Sequence, residues 1–245
     1  MRLLEDEIRL VRAEVEATTR GGTARVVEFQ RVPAWPVGRK GNVVLKSETA
    51  VELGGPQQES ASLLLWTAQP AVVHDGRITI VGPDLDASVG ACLPFGRALV
   101  LAVEGFDESN CVARHKELEL CRYELNLDGY MMRAAPYQGR EWGRVSRRGV
   151  EDGFSLATLA AGLMRLYRSI PYVSAVEAIL VTSSRDTVRS LAGIGGVATR
   201  RILALDKMTT EPSRECDECD FNDVCSEIDA LRAARNAGRE RVSHV

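Results

Sequence analysis

The stretch "YVSAVEAILVTS", residues 172–183, decides the fold. Its apolar positions are too continuous for a half-exposed strand, which would alternate, so it reads as a strand covered on both faces. Such a strand needs helices or a second sheet on either side. Immediately upstream, "SLATLAAGLMRLYR" (155–168) has the periodicity of a helix, and downstream come "SRDTVRSL" (184–191) and "GIGGVATRRILALDK" (193–207). Between residues 23 and 104 the apolar runs are short and punctuated by Pro and Gly: "ARVVEFQ", "NVVLK", "SLLLW", "RITIVG" and "RALVLAVEG". These are predicted strands, with the Asp-Gly of "HDGR" (74–77) making a tight turn into "RITIVG". At the N-terminus Leu4, Ile8, Leu10, Val11 and Val15 share a helical face that ends at Gly21-Gly22. Residues 107–125 read as a further helix, with Asp107 or Ser109 as its cap. The stretch "DGYMMRAAPYQGREWGRVS" (128–146) reads as irregular, and the charged tail "SEIDALRAARNAGRER" as helical. The expected class is therefore α/β, a mixed sheet with packed helices. The expected organisation is an amphipathic helix over 1–22, one α/β domain over 23–210, and a small cysteine-rich segment with a terminal helix over 211–245.

Composition narrows the function classes. With 45% apolar residues the chain can bury a sizeable core, and 31 basic against 34 acidic residues give a net charge of −3. No bulk charge draws it to nucleic acid or to an anionic membrane. The first twenty residues are charged throughout, unlike a signal peptide, and no run of 18 apolar residues occurs, so a cytoplasmic protein without a membrane segment is expected. There is no G-x-S-x-G elbow, no P-loop and no H-E-x-x-H. His74 precedes a turn and reads as solvated. Asp84 and Asp86 read as residues that cap their own backbone.

Three of six cysteines fall in "CDECDFNDVC" (216–225). The C-x2-C-x5-C spacing of Cys216, Cys219 and Cys225 lets thiolates converge on one centre, and a reducing compartment favours metal over disulfide. A [4Fe-4S] cluster or a structural zinc ion would want a fourth ligand, and Cys92, Cys111, Cys121 or a histidine can supply it. Cys111 is placed first.

The ordered set "ETAVELGGP" (48–56), "DGRITIVGPDLD" (75–86), "LPFGRALVLAVEG" (93–105), "WGRVSRRGVEDGFSLATLAAGLMRLYRSIPYVSAVEAILVT" (142–182) and the cysteine segment resembles acetyl-CoA synthase, the beta subunit of the CO dehydrogenase/acetyl-CoA synthase complex. The resemblance runs over about residues 45–225 and is to that enzyme's middle domain entering its metal-cluster domain. It implies that Cys216, Cys219 and Cys225 match the opening of a ligand set for a nickel centre bridged to a [4Fe-4S] cluster, with a shorter second gap. The family's later Cys-Gly-Cys is missing here, which implies a cluster without the nickel site. Trp142, Arg144, Arg147 and Arg148 occupy the neighbourhood that contributes to coenzyme A binding in the family, where an indole can stack a purine and guanidiniums can hold phosphates. The implied partners are a corrinoid protein or a CO dehydrogenase in anaerobic one-carbon metabolism.

A competing resemblance is to base-excision DNA glycosylases. "SLAGIGGVATRRILAL" (190–205) reads like a helix-hairpin-helix that offers backbone N–H groups to a DNA phosphate. Those enzymes also end in C-x2-C-x5-C. Against that reading, they are all-helical, whereas the first hundred residues here are rich in strands. A nucleic-acid-binding iron–sulfur protein and a structural zinc protein are thus the alternatives. Iron–sulfur nucleases are set aside because no acidic residue stands two before any of the four lysines.

Overall fold

The computed structural model describes residues 3–20, 24–38, 46–55, 58–88, 92–135, 140–210 and 219–227, together with Ala233 and Asn236. The stretch that opened the sequence reading forms β9 (Val173–Val181), buried at every position but Ser174. It lies antiparallel to β6 (Phe95–Val103), which is buried throughout. β4 (Arg77–Val81) pairs parallel on the other side of β9, and β1 (Ala24–Glu28) pairs antiparallel with β4. β3 (Ser60–Thr67) runs parallel to β6 and closes the sheet in the order β1-β4-β9-β6-β3. The chain turns into β4 through Gly76, whose φ of +80° suits a residue without Cβ, and Arg77 N–H donates to His74 O at 3.1 Å. Two central strands buried on both faces explain the continuous apolar runs. The "NVVLK" expectation lies, but for Lys46, outside the described residues.

A second sheet has the order β5-β2-β8-β7, from β5 (Cys92–Leu93), β2 (Ala50–Leu53), β8 (Arg140–Ser146) and β7 (Tyr130–Ala135). The stretch expected to be irregular is thus an antiparallel strand pair. Its apolar residues alternate with Arg, Glu and Gly. Tyr130 and Val145 are buried on one face, while Trp142 and Arg133 stand opposite each other on the other.

Helices cover the larger sheet. In α1 (Glu5–Thr19), Ile8, Val11 and Val15 are buried, whereas Leu10, assigned by sequence to the same face, is exposed. α1 packs on α5 (Arg185–Thr210), and the buried Glu7 meets Arg201 at 3.0 Å. α5 is one continuous helix through Gly193, Gly195 and Gly196, none of which has positive φ, so the hairpin of the competing resemblance does not form. α4 (Leu156–Arg168) packs on β9 and begins at a capping box of Ser155 and Thr158. Asp84 adds a second cap, accepting from Leu156 N–H at 2.8 Å as well as from its neighbour Leu85. α2 (Cys111–Cys121) is shorter than the predicted 107–125, because Asp107 accepts from the amides of Ser109 and Asn110 and so closes a turn before the helix. No helix among the described residues is long and apolar enough to cross a membrane.

Charged groups join the two sheets inside this frame. Arg97, in the middle of β6 and 1% exposed, pairs with Glu141 of β8 and donates to Ser62 Oγ at 2.6 Å. Arg122, just after α2, stands 2.8 Å from Glu141 and pairs with Glu119.

Candidate functional site

The outer face of the smaller sheet holds the basic and aromatic residues. On β8, Trp142 and Arg144 project to the same side because strand positions two apart share a face. Their cross-strand neighbours there are Arg133 and Met131 of β7, and Glu52 of β2 lies beside Arg144. Arg144 is tied to Glu52, donating from Nε at 2.6 Å. Its charge is thereby matched within the fold. Arg147 differs. It opens α3 (Arg147–Glu151), a single turn whose cap is Ser146 Oγ accepting from Gly149 N–H. Its Nε and Nη2 are buried and have no hydrogen-bond partner among the described residues, and the same holds for the Trp142 indole N–H. Arg148, the next residue, is exposed and forms a loose pair with Asp152 at 3.7 Å.

The arginines expected to act together therefore fall into three environments. Arg144 is satisfied by a carboxylate, Arg148 is solvated, and Arg147 has buried donors without an acceptor among the described residues. Buried N–H groups almost always find partners, and leaving one unmet costs about 1–3 kcal/mol. An anion at Arg147 would meet them. Sequence reasoning missed Arg133 and Glu52, since their places beside Trp142 and Arg144 depend on strand pairing that the irregular-looking stretch conceals. Cys92 belongs to the same region, its Sγ 3.9 Å from Glu52 Oε2, and burial pushes its thiol up.

The cysteine segment is the second candidate. Cys216 lies outside the described residues. Cys219 is half-buried and its carbonyl accepts from Asn222 N–H at 2.9 Å, a tight turn that leads into α6 (Asn222–Glu227). Cys225 sits in α6, buried, with Sγ 3.9 Å from Met208 Sδ of α5. Two thiols flanking a turn and a helix start, beside a thioether, are a soft donor set suited to zinc or an iron–sulfur cluster. Cys111 is fully buried at the start of α2, where burial pushes its thiol up to about 11. Among the described residues no three Cys, His, Asp or Glu side chains gather as a metal-binding group.

His74, expected to be solvated, is half-exposed, and its Nδ1 lies 3.1 Å from the buried Glu177, which also accepts from Arg12 at 2.6 Å. Those contacts hold the turn before β4 against β9.

The family model described as the CO dehydrogenase/acetyl-CoA synthase complex beta subunit matches residues 36–187. That range takes in the smaller sheet, every strand of the larger one except β1, and the Trp142–Arg148 region, and it stops before the cysteine segment. A beta subunit of the acetyl-CoA decarbonylase/synthase complex from Archaeoglobus fulgidus is 28% identical over 156 residues, covering 62% of this chain and 28% of the relative. The corresponding subunit from Methanopyrus kandleri is 27% identical over 149 residues, covering 60% of this chain and 30% of its own length. From Methanosarcina thermophila, subunit beta 2 of that complex is 26% identical over 162 residues, covering 62% and 32%. The chain thus spans about three-tenths of the length of these relatives.

Proposed function

The chain belongs to the CO dehydrogenase/acetyl-CoA synthase complex beta subunit family, and from that premise we propose that it is an iron–sulfur protein serving as an accessory or partner-binding element of anaerobic one-carbon metabolism in the cytoplasm. Its partner on this reading is a CO dehydrogenase or a corrinoid protein, and its small-molecule ligand is coenzyme A. The observation that carries the ligand is Arg147, whose buried Nε and Nη2 have no acceptor among the described residues. A phosphate supplies paired oxygens to a guanidinium edge, and the Trp142 ring offers a surface on which an adenine can stack. Arg144 and Glu52 hold the strand beside them at fixed charge.

For the cluster, Cys216, Cys219 and Cys225 are the proposed thiolates, with Cys111 as fourth ligand. The cluster would supply electron transfer or a rigid pin for the C-terminal segment. The nucleic-acid alternative is dropped, because the segment read as a hairpin is part of one continuous helix.

Calorimetric titration with coenzyme A tests the ligand. Wild type is expected to bind, Arg147→Ala at least tenfold more weakly, and Arg148→Ala within twofold of wild type. Equal affinity of Arg147→Ala and wild type would sink the assignment. Metal and sulfide analysis after anaerobic purification tests the cluster. About four irons with sulfide, lost in Cys219→Ser, is the expected result, whereas one zinc without sulfide would make the segment a structural clip.

A further inference from the structure

A pocket of about 260 Å³ lies beside β3, between α2 and α5, and shares no residue with the Trp142–Arg148 region. The two helices meet at Lys116 and Asp206, 3.1 Å apart, which bounds the space between them. At ~30 Å³ for each water-sized group, such a space holds a molecule of on the order of nine non-hydrogen atoms. That is a small ligand, not a length of polypeptide. Its lining divides by chemistry. Leu4, Leu63, Leu65, Ile202 and Leu203 give apolar surface, while Ser62, His115, Lys116 and Glu119 are polar.

The contacts behind the polar residues fix what each can present. Trp66 Nε1–H can only donate, and it donates to His115 Nδ1 at 3.3 Å, so the neutral ring carries its proton on Nε2. Nε2 is neither sealed from solvent nor hydrogen-bonded among the described residues, and that N–H is therefore available. Ser62 Oγ accepts from Arg97 Nη2 at 2.6 Å, which leaves its own hydrogen to donate. Charge has a sign here as well. Burial, and then Arg122 and Lys116, push the His115 pKa down to about 4, so the charges that act on the ring are positive. Glu119, one turn further on, has Oε2 taken by Arg122, and burial raises its carboxyl.

We infer that this pocket binds a small aliphatic monocarboxylate of about four to eight carbons, with its oxygens at Ser62 and His115 and its chain against Leu63, Leu65 and Ile202. Two donors in a positive field suit an oxyanion. The apolar lining asks for a hydrocarbon chain on the same molecule. A single negative charge is selected over a phosphate dianion because the nearby cations are already matched: Lys116 is held by Asp206, and Arg122 by Glu119 and Glu141.

The test titrates the whole chain at pH 7 with hexanoate, followed by calorimetry and by the ring signals of the histidines in the NMR spectrum. Saturable binding that moves the His115 signals and leaves those of His74 in place is expected. Hexanamide and 1-hexanol, of the same length and without charge, should bind at least tenfold more weakly. From acetate to hexanoate, each methylene that enters the apolar part should tighten binding up to about fourfold. Thr199→Trp, at an exposed position of the α5 wall, should fill the pocket and weaken hexanoate at least tenfold. His115→Phe, which keeps a ring and removes the donor, should do so by a similar factor. Arg147→Ala should bind hexanoate as wild type does, which separates this pocket from the site proposed for coenzyme A. Equal affinity for hexanoate and 1-hexanol would reduce the pocket to an apolar cavity and overturn the proposal. So would hexanoate binding that survives Thr199→Trp or leaves the His115 signals unmoved, or absence of binding by wild type across the series from acetate to octanoate.

Discussion

His115 shows how far one side chain's chemistry is set by its surroundings. Burial, and then the nearby positive charges of Arg122 and Lys116, bring its pKa down to about 4 from an ordinary 6.5. An unfolded chain would take up a proton near 6.5 and the folded chain only near 4, so across that interval the unfolded state binds more protons. Stability must then fall as the pH drops from 6.5 through 4, by up to about 3 kcal/mol for this residue. Glu7 and Glu119 work the other way. Burial raises both carboxyls, so their contribution to stability grows as the pH falls. The His115 effect is therefore isolated by comparing wild type with His115→Gln, which keeps a neutral acceptor for the Trp66 indole. Urea midpoints between pH 4 and 7.5 should fall more steeply for wild type than for the variant. Parallel curves would mean that His115 titrates as a solvated group. The sequence placed His115 one turn from Cys111 and no further, because its depressed pKa comes first from burial and then from Arg122 and Lys116, and of these only Lys116 is a sequence neighbour.

At the scale of one element, α5 is where reading by motif and reading by physics part. "GIGGVATRR" has the glycines of a hairpin, yet all three adopt ordinary helical backbone and the helix runs for 26 residues. Gly195 has a packing reason, the close approach to Leu63, whereas a Cβ on Gly193 or Gly196 would meet nothing within 4 Å. The two kinds of glycine should respond oppositely to alanine. Gly193→Ala and Gly196→Ala are expected to stabilise the protein by about 0.5–1 kcal/mol each, through helix propensity and lost unfolded-state freedom. Gly195→Ala should gain nothing or lose stability, since Leu63 has to shift. Chemical denaturation of the three variants decides it, and destabilisation by Gly193→Ala would restore the hairpin. The same contrast explains which elements were legible. α4 and β9 carry a strong period or an unbroken apolar run plus a capping box, all local. The β7–β8 pair carries charge and glycine on its covered face, where Glu141 and Gly143 stand between apolar neighbours. The two strands pair with each other, and β8 also pairs with β2, where Arg144 meets Glu52 92 residues away in sequence.

Across the whole molecule the two sheets are fastened by charge as well as by apolar packing. Arg97 of the larger sheet, Glu141 of the smaller, and Arg122 and Glu119 of the α2 end form an alternating chain of two cations and two anions in which Glu141 serves both arginines. No single-sequence argument would bury these residues, because strand arginines and glutamates ordinarily face water. The candidate site shares the fate of this network: the Trp142 and arginine cluster was legible as residue types, but their division into satisfied, solvated and unmet depends on Glu52 and on pairing between distant strands. Replacing well-paired buried charges by apolar groups of like volume is often neutral, whereas removing one partner leaves a charge stranded at a cost of about 3–5 kcal/mol. Glu141→Ala strands Arg97 with only Ser62 Oγ and the Met132 sulfur for company among the described residues. That variant should lose about 3–5 kcal/mol, and Arg97→Met combined with Glu141→Leu should recover most of the loss. If the network couples the sheets, Glu141→Ala will also speed amide exchange in β7 and β8 more than in β6 and β9, which keep their apolar cover. A uniform change across both sheets would instead make the network a stabiliser of a single cooperative core, and near-neutral Glu141→Ala would mean that water reaches Arg97.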